Sequence, residues 1–149
     1  MQQTVREAAM RFVLATLAGS LTLLVVGGVL YGVVFVDLFA EGALRLPGVM
    51  RSQPEFGWIV LGQLGFGTLV TLVMKWRGAT NWKQGARTGV VCGFLMAVGY
   101  DFAQYGTSHL WTLRATLVDP LITALLVGSA GAAAGWVLGW RSGPSPWGT

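Results

Sequence analysis

The 149-residue chain is poor in charge. Asp, Glu, Lys and Arg together make up 11% of it, against roughly 25% in an ordinary soluble domain. Hydrophobic residues reach 54% and the mean hydropathy is +0.62. So few charges cannot coat a water-facing particle of this size, so lipid is the expected solvent for most of the surface. Histidine and cysteine are equally scarce. His109 alone cannot build a histidine metal cluster, and Cys92 alone cannot form an intrachain disulfide, a CxxC redox pair or a thiolate zinc site. Cys92 sits in an apolar run and reads as a small buried hydrophobe. No HExxH, Walker loop, GxSxG or nucleophile–base pair occurs. The expectation is therefore a non-enzymatic protein with no cofactor and no metal. The net charge of +4 does not indicate nucleic acid, because the basic residues stand at the ends of apolar segments rather than on a basic, aromatic-studded surface.

What is abundant is apolar length. Phe12–Val36 is uncharged between Arg11 and Asp37, too long for a signal-peptide core and long enough for a hydrocarbon layer of about 30 Å. Thr4-Val5-Arg6-Glu7 has the form of a capping box just before it. A second stretch runs from Phe56 to Met74, and a fourth from Pro120 to Trp140 with Asp119 as N-cap and Pro120 as first helical residue. The third is interrupted, since Arg87 and Asp101 bracket only 13 uncharged residues. Counted from an N-cap at Asn81 to about Tyr105, it still reaches spanning length. The pattern predicts an all-α, four-transmembrane-helix bundle in a single domain, residues 1–141, with helices near 5–37, 56–76, 82–105 and 120–140. The tail, residues 142–149, with Pro144 and Pro146, reads as disordered.

Among the connections, 37–55 is a polar loop with a Leu46-Pro47-Gly48 turn signal, and 77–81 is short enough to make helices two and three a tight antiparallel hairpin. The segment 106–118 is amphipathic and suits the membrane interface. Basic residues orient the chain. With both termini cytoplasmic, Arg6, Arg11, Lys75, Arg77, Lys83, Arg87 and Arg141 lie inside, against Arg45, Arg51 and Arg114 outside.

Glycine numbers 22, about twice the usual share of roughly 7%. Gly85, Gly89 and Gly93 recur every four residues in helix three, as do Gly131, Gly135 and Gly139 in helix four; Gly28 and Gly32 repeat the spacing in helix one. Four-residue spacing puts small residues on one helix face, where a partner backbone can approach. Two readings follow: packing of helices three and four on each other, or a glycine zipper to a second copy or another membrane subunit.

The polar residues gather towards the outer ends: Asp37, Glu41, Asp101, His109, Arg114 and Asp119. Asp101 falls about 21 Å beyond Arg87 along a helix, which leaves two readings. An intramembrane carboxylate marks an ion or ligand site by default. A helix starting nearer Trp82 instead brings Asp101 to the wet interface, paired with Arg114. Gln63 in helix two is a further polar candidate, for a ligand or for interhelical hydrogen bonding.

Gly28-Val-Leu-Tyr-Gly32, Gly85-Ala-Arg-Thr-Gly-Val-Val-Cys-Gly93, Asp101-Phe-Ala-Gln-Tyr-Gly106 and Asp119-Pro120 before a glycine-rich helix resemble small four-helix bacterial membrane proteins grouped as a domain of unknown function. The likeness covers most of Phe12–Trp140. It implies a fold in the bacterial cytoplasmic membrane and no activity. Small multidrug-resistance transporters are similar in size and helix count, but they rely on a carboxylate in the middle of helix one, which Phe12–Val36 lacks. Two functions remain open: a structural or accessory subunit of a larger membrane complex or homo-oligomer, or a small transporter, channel or ligand-binding protein using Asp101, Asp119, Arg114 and Gln63.

Overall fold

The computed structural model describes residues 2–40, 48, 51 and 53–140. Glu41, Arg45, Arg141, Leu46-Pro47 and the tail 142–149 lie outside them. Every regular element among the described residues is helical. Helix α1 spans Gln2–Val29 and passes through one wide π turn, Leu30–Val34, before the short α2, Val36–Ala40. Then come α3, Phe56–Trp76; α4, Trp82–Thr107; and α5, Leu113–Gly139. Three segments are long and apolar enough to cross a membrane: Val5–Val34, Phe56–Trp76 and Leu113–Gly139. Helix α4 is not among them, because Lys83, Arg87 and Asp101 interrupt its apolar run.

The helix ends follow local chemistry. Gly78 adopts φ +68, and the Ala79 N–H reaches back to the Met74 carbonyl at 2.9 Å, which closes α3 with a left-handed glycine. Asn81 caps α4 by accepting from the Gln84 N–H at 3.0 Å, while the Gln84 side chain accepts from the Thr80 N–H at 3.0 Å. Both devices satisfy backbone groups that a helix end leaves open.

Helix α5 departs from the sequence reading. It begins at Leu113, capped by Thr112, whose hydroxyl accepts from the Ala115 N–H at 3.2 Å. Asp119 is therefore not an N-cap, and Pro120 lies inside the helix. Proline removes one intrahelical bond, but neighbouring helices and hydroxyls in an apolar bundle compensate such a loss. The amphipathic segment 106–118 thereby shrinks to a short link between α4 and α5.

Packing centres on α5. Helix α4 lies along it almost throughout, α1 packs on its other side, and α3 leans mainly on α1. Despite the short turn between them, α3 and α4 scarcely touch, so they form no tight hairpin. The cause is where backbones can approach. A methyl group at Gly85, Gly89 or Gly93 would strike the α5 backbone at Gly131, Val127 or Thr123, and one at Gly131 or Gly135 would strike Gly85 or Asn81. Gly139 abuts the Thr80 carbonyl in the same way. On the other flank a methyl group at Gly67 would meet Ser20, which draws α3 to α1. Gly28 and Gly32 have nothing within 4 Å of where a β-carbon would stand.

Ala15, Leu23, Val70, Met74, Val127, Ala130 and Ala134 form the core. The polarity is otherwise inverted: Thr71 and Thr116 are 0% exposed, while Leu125 is 65% and Trp58 70% exposed. Polar groups inside and large apolar groups outside are what a hydrocarbon solvent requires. The fold is that of an α-helical membrane protein.

Candidate functional site

Three helices deliver polar groups to one level, at the end of the bundle away from the N-terminus. Asp101 lies on α4, Asp119 and Thr123 on α5, and Tyr31 in the π turn of α1. From the opposite end, 20 residues of α1 (Arg11 to Tyr31), 19 of α4 (Trp82 to Asp101) and 21 of α5 (Asp119 to Trp140) each amount to about 30 Å. The cluster thus sits at a similar height on all three helices.

Local structure aims each group inward. Asp119 and Thr123 are four residues apart and share a helix face. The π turn, marked by the Phe35 N–H bonding the Leu30 carbonyl five residues back at 2.8 Å, re-phases the end of α1 and carries Tyr31 to α5. Such insertions frequently accompany functional sites.

The Tyr31 hydroxyl donates to Asp119 Oδ1 at 2.7 Å and stands 2.8 Å from Thr123 Oγ1. Thr123 Oγ1 in turn donates to Asp119 Oδ2 at 3.2 Å. These are three oxygen–oxygen contacts in a ring, and the two hydroxyls carry one proton each. Asp101 stands beside the ring, near enough to Asp119 for the two carboxyls to feel each other's charge. It is 2% exposed, and its Oδ2 is buried without a hydrogen-bond partner. Asp101 is therefore enclosed by protein rather than wet. Tyr31 also packs at a tilt against Phe39, centroids 5.1 Å apart, and Phe39 meets Trp111 edge-on at 5.4 Å.

Among the described residues no base pairs with either acid. Among the described residues the only ion pairs are Arg11–Glu7 and Arg51–Glu55. Arg114 is exposed and does not pair with Asp101 or Asp119. With α5 starting at Leu113, Arg114 and Asp119 are five residues apart, about 140° around the helix, so the one turns outward where the other turns inward. Gln63 makes no hydrogen bond to the acids: it is half-buried on α3 and lines an apolar groove with Leu23, Phe66, Met96 and Thr123, the groove thus reaching the ring only at Thr123. His109 and Asp37 are exposed. The described residues contain no group of three or more His, Cys, Asp or Glu able to hold a metal ion.

Of the four candidate residues, then, Asp101 and Asp119 come together, and Arg114 and Gln63 do not join them. Tyr31 and Thr123 were missed. The Asp119–Thr123 spacing and a lone tyrosine in the apolar stretch of α1 were the available signals. Cys92, expected to be buried, is half-buried beside α3. The chain matches no protein family, no curated protein and no solved structure.

Proposed function

We propose that this is an integral membrane protein of the proton-linked transport class, with α1, α3, α4 and α5 all crossing the bilayer and the Asp101–Asp119 pair as its proton site. The observation that carries this reading is the count of hydrogens around two enclosed acids. The ring of Tyr31, Thr123 and Asp119 has three contacts and two hydroxyl protons, and the Asp101–Asp119 contact has no hydroxyl at all. A proton held between Asp101 and Asp119 fills the approach that has no hydroxyl and removes one of two buried charges with which, among the described residues, no arginine, lysine or histidine pairs. Buried charge without such a partner is among the most expensive features a membrane protein can carry.

Several features support α4 as a fourth span. Its charges, Lys83, Arg87 and Asp101, lie towards its two ends, and it packs along the full apolar length of α5. Trp76, Trp82 and Trp140 at one end, with Tyr100, Tyr105 and Trp111 at the other, suit two interfacial belts. The basic residues favour both termini on the cytoplasmic side, and the resemblance to small bacterial membrane proteins favours a bacterial cytoplasmic membrane. The π turn in α1 gives the site a natural moving part, since Tyr31 is the only group α1 contributes to the ring.

The experiment is proton movement into proteoliposomes carrying a trapped pH-sensitive dye. The wild-type chain collapses an imposed pH gradient, and Asp101→Asn, folded and inserted equally well, does not. Equal rates for the two proteins would refute the proposal.

A second reading, an accessory subunit of a larger membrane complex or a homo-oligomer, is favoured by one observation. Gly28 and Gly32, four residues apart on α1, have no internal neighbour, which leaves a close-packing face for another helix. Isolation in mild detergent tests it, and a solitary monomer would count against it.

A further inference from the structure

Because α3 leans on α1 and α4 on α5, a seam opens between α3 and α4. Near the turn that joins them it widens into a hollow of about 370 Å³, whose walls are Val73 and Arg77 on one side and Arg87, Thr88, Val91 and Cys92 on the other. An adjoining hollow shares Arg77, Arg87 and Thr88 and extends to Gln84 in the first turn of α4. One helical turn deeper lies the apolar groove lined by Leu69, Val70 and Met96. The seam is therefore cationic at its mouth and hydrocarbon-lined beyond it.

The two arginines differ from the other basic residues of this region. Lys75 lies over the Phe12 ring at 5.5 Å and Lys83 over the Trp82 ring at 5.6 Å. Arg77 and Arg87 face the same hollow from opposite helices and, among the described residues, pair with no acid. The N-terminal turn of α4 adds a partial positive charge on the same side. The depth is also specific. From Arg77 back to Phe66 is 11 residues, about 16 Å, close to one leaflet of a hydrocarbon layer of about 30 Å.

We infer that this seam seats one anionic phospholipid, its phosphate between Arg77 and Arg87 and one acyl chain along Val73, Val91, Val70 and Met96. Arginine suits this role because its planar fork bonds two phosphate oxygens at once. Basic pockets between membrane helices on the cytoplasmic side recognise anionic headgroups in this manner. The inference rests on the reading of α4 as membrane-spanning, which labelling of cysteine variants tests separately.

The test is native mass spectrometry of the full chain released from mixed phosphatidylglycerol–phosphatidylcholine nanodiscs. The wild-type chain retains phosphatidylglycerol in preference to phosphatidylcholine. Arg77→Gln/Arg87→Gln lowers that preference about thirtyfold, the product of two contacts of about 1 kcal/mol each. Lys75→Gln/Lys83→Gln removes the same charge from the same turn and leaves the preference in place. Val91→Trp fills the seam with both arginines intact and also reduces retention, and inorganic phosphate does not displace the lipid. Equal loss in the two double variants would reduce the effect to general surface charge and overturn the site. Unchanged retention in Val91→Trp, or displacement by inorganic phosphate, would overturn the seated acyl chain. If α4 spans the bilayer and the preference is absent, this inference alone fails. Proton movement in the arginine variant stays at the wild-type rate, which separates the lipid site from the carboxyl pair.

Discussion

The Tyr31 hydroxyl on α1 donates a 2.7 Å hydrogen bond to Asp119 on α5, 88 residues away. The bond joins the π turn of one helix to the carboxyl that neighbours Asp101 on a third, so it ties α1 to α5 where α4 adjoins them.

Removing that hydroxyl while keeping the ring isolates its contribution. Tyr31→Phe leaves the ring contact with Phe39 in place but takes away one donor and one acceptor. Interhelical hydrogen bonds in membranes are worth about 0.6 to 2 kcal/mol, and the variant should lose stability by that amount in a thermal unfolding assay in detergent. An unchanged midpoint would show that Tyr31 does not hold α1 to α5.

The carboxyl pair predicts an opposite sign. In Asp101→Asn the amide supplies hydrogens to Asp119 and removes a buried acid whose Oδ2 lacks a partner. The variant should unfold at an equal or higher temperature while losing proton movement, the usual signature of a site kept for function at the expense of stability. A strongly destabilised Asp101→Asn would mean that the carboxylate is structural.

The glycine faces are not equivalent. Gly85→Ala puts a methyl group against the backbone of Gly131, and overpacking of this kind costs about 1 to 3 kcal/mol. Gly28→Ala meets nothing within 4 Å and should be neutral, or favourable by up to about 1 kcal/mol through helix propensity. Unfolding of both variants by denaturing detergent in mixed micelles measures the difference. Equal midpoints would contradict the α4–α5 approach described above.

Much of the architecture was legible because apolar length and capping chemistry are local. Asn81 announces α4, and the apolar runs announce α1, α3 and α5. What was not legible depended on neighbours. Pro120 reads as a helix start in isolation, yet Thr112 caps α5 eight residues earlier, and only the surrounding helices make an internal proline tolerable. The short turn at 77–81 suggested a tight hairpin, but the glycine face of α4 draws it to α5 instead. Of the site, Asp101 stood out by its cost in lipid, Asp119 read as a helix cap within the same polar cluster, and Arg114 was a natural partner until the register of α5 turned it outward. Tyr31 stood out as a lone tyrosine in an apolar stretch, but nothing there signals the π turn that carries it to Asp119.

Topology is open to direct labelling. In a Cys92→Ala background, Gly78→Cys should react with a membrane-impermeant thiol reagent only from the cytoplasmic side, and Gln53→Cys and His109→Cys only from the opposite side. Labelling of Gly78→Cys and His109→Cys from the same side would show that α4 does not span.

The central claim is that Asp101 and Asp119 together hold a proton, and infrared difference spectroscopy of the membrane-reconstituted chain addresses it most directly. The account predicts a carbonyl band of a protonated carboxyl that shifts on exchange into D2O and disappears in both Asp101→Asn and Asp119→Asn. A spectrum with no such band, or one that survives both substitutions, would contradict it.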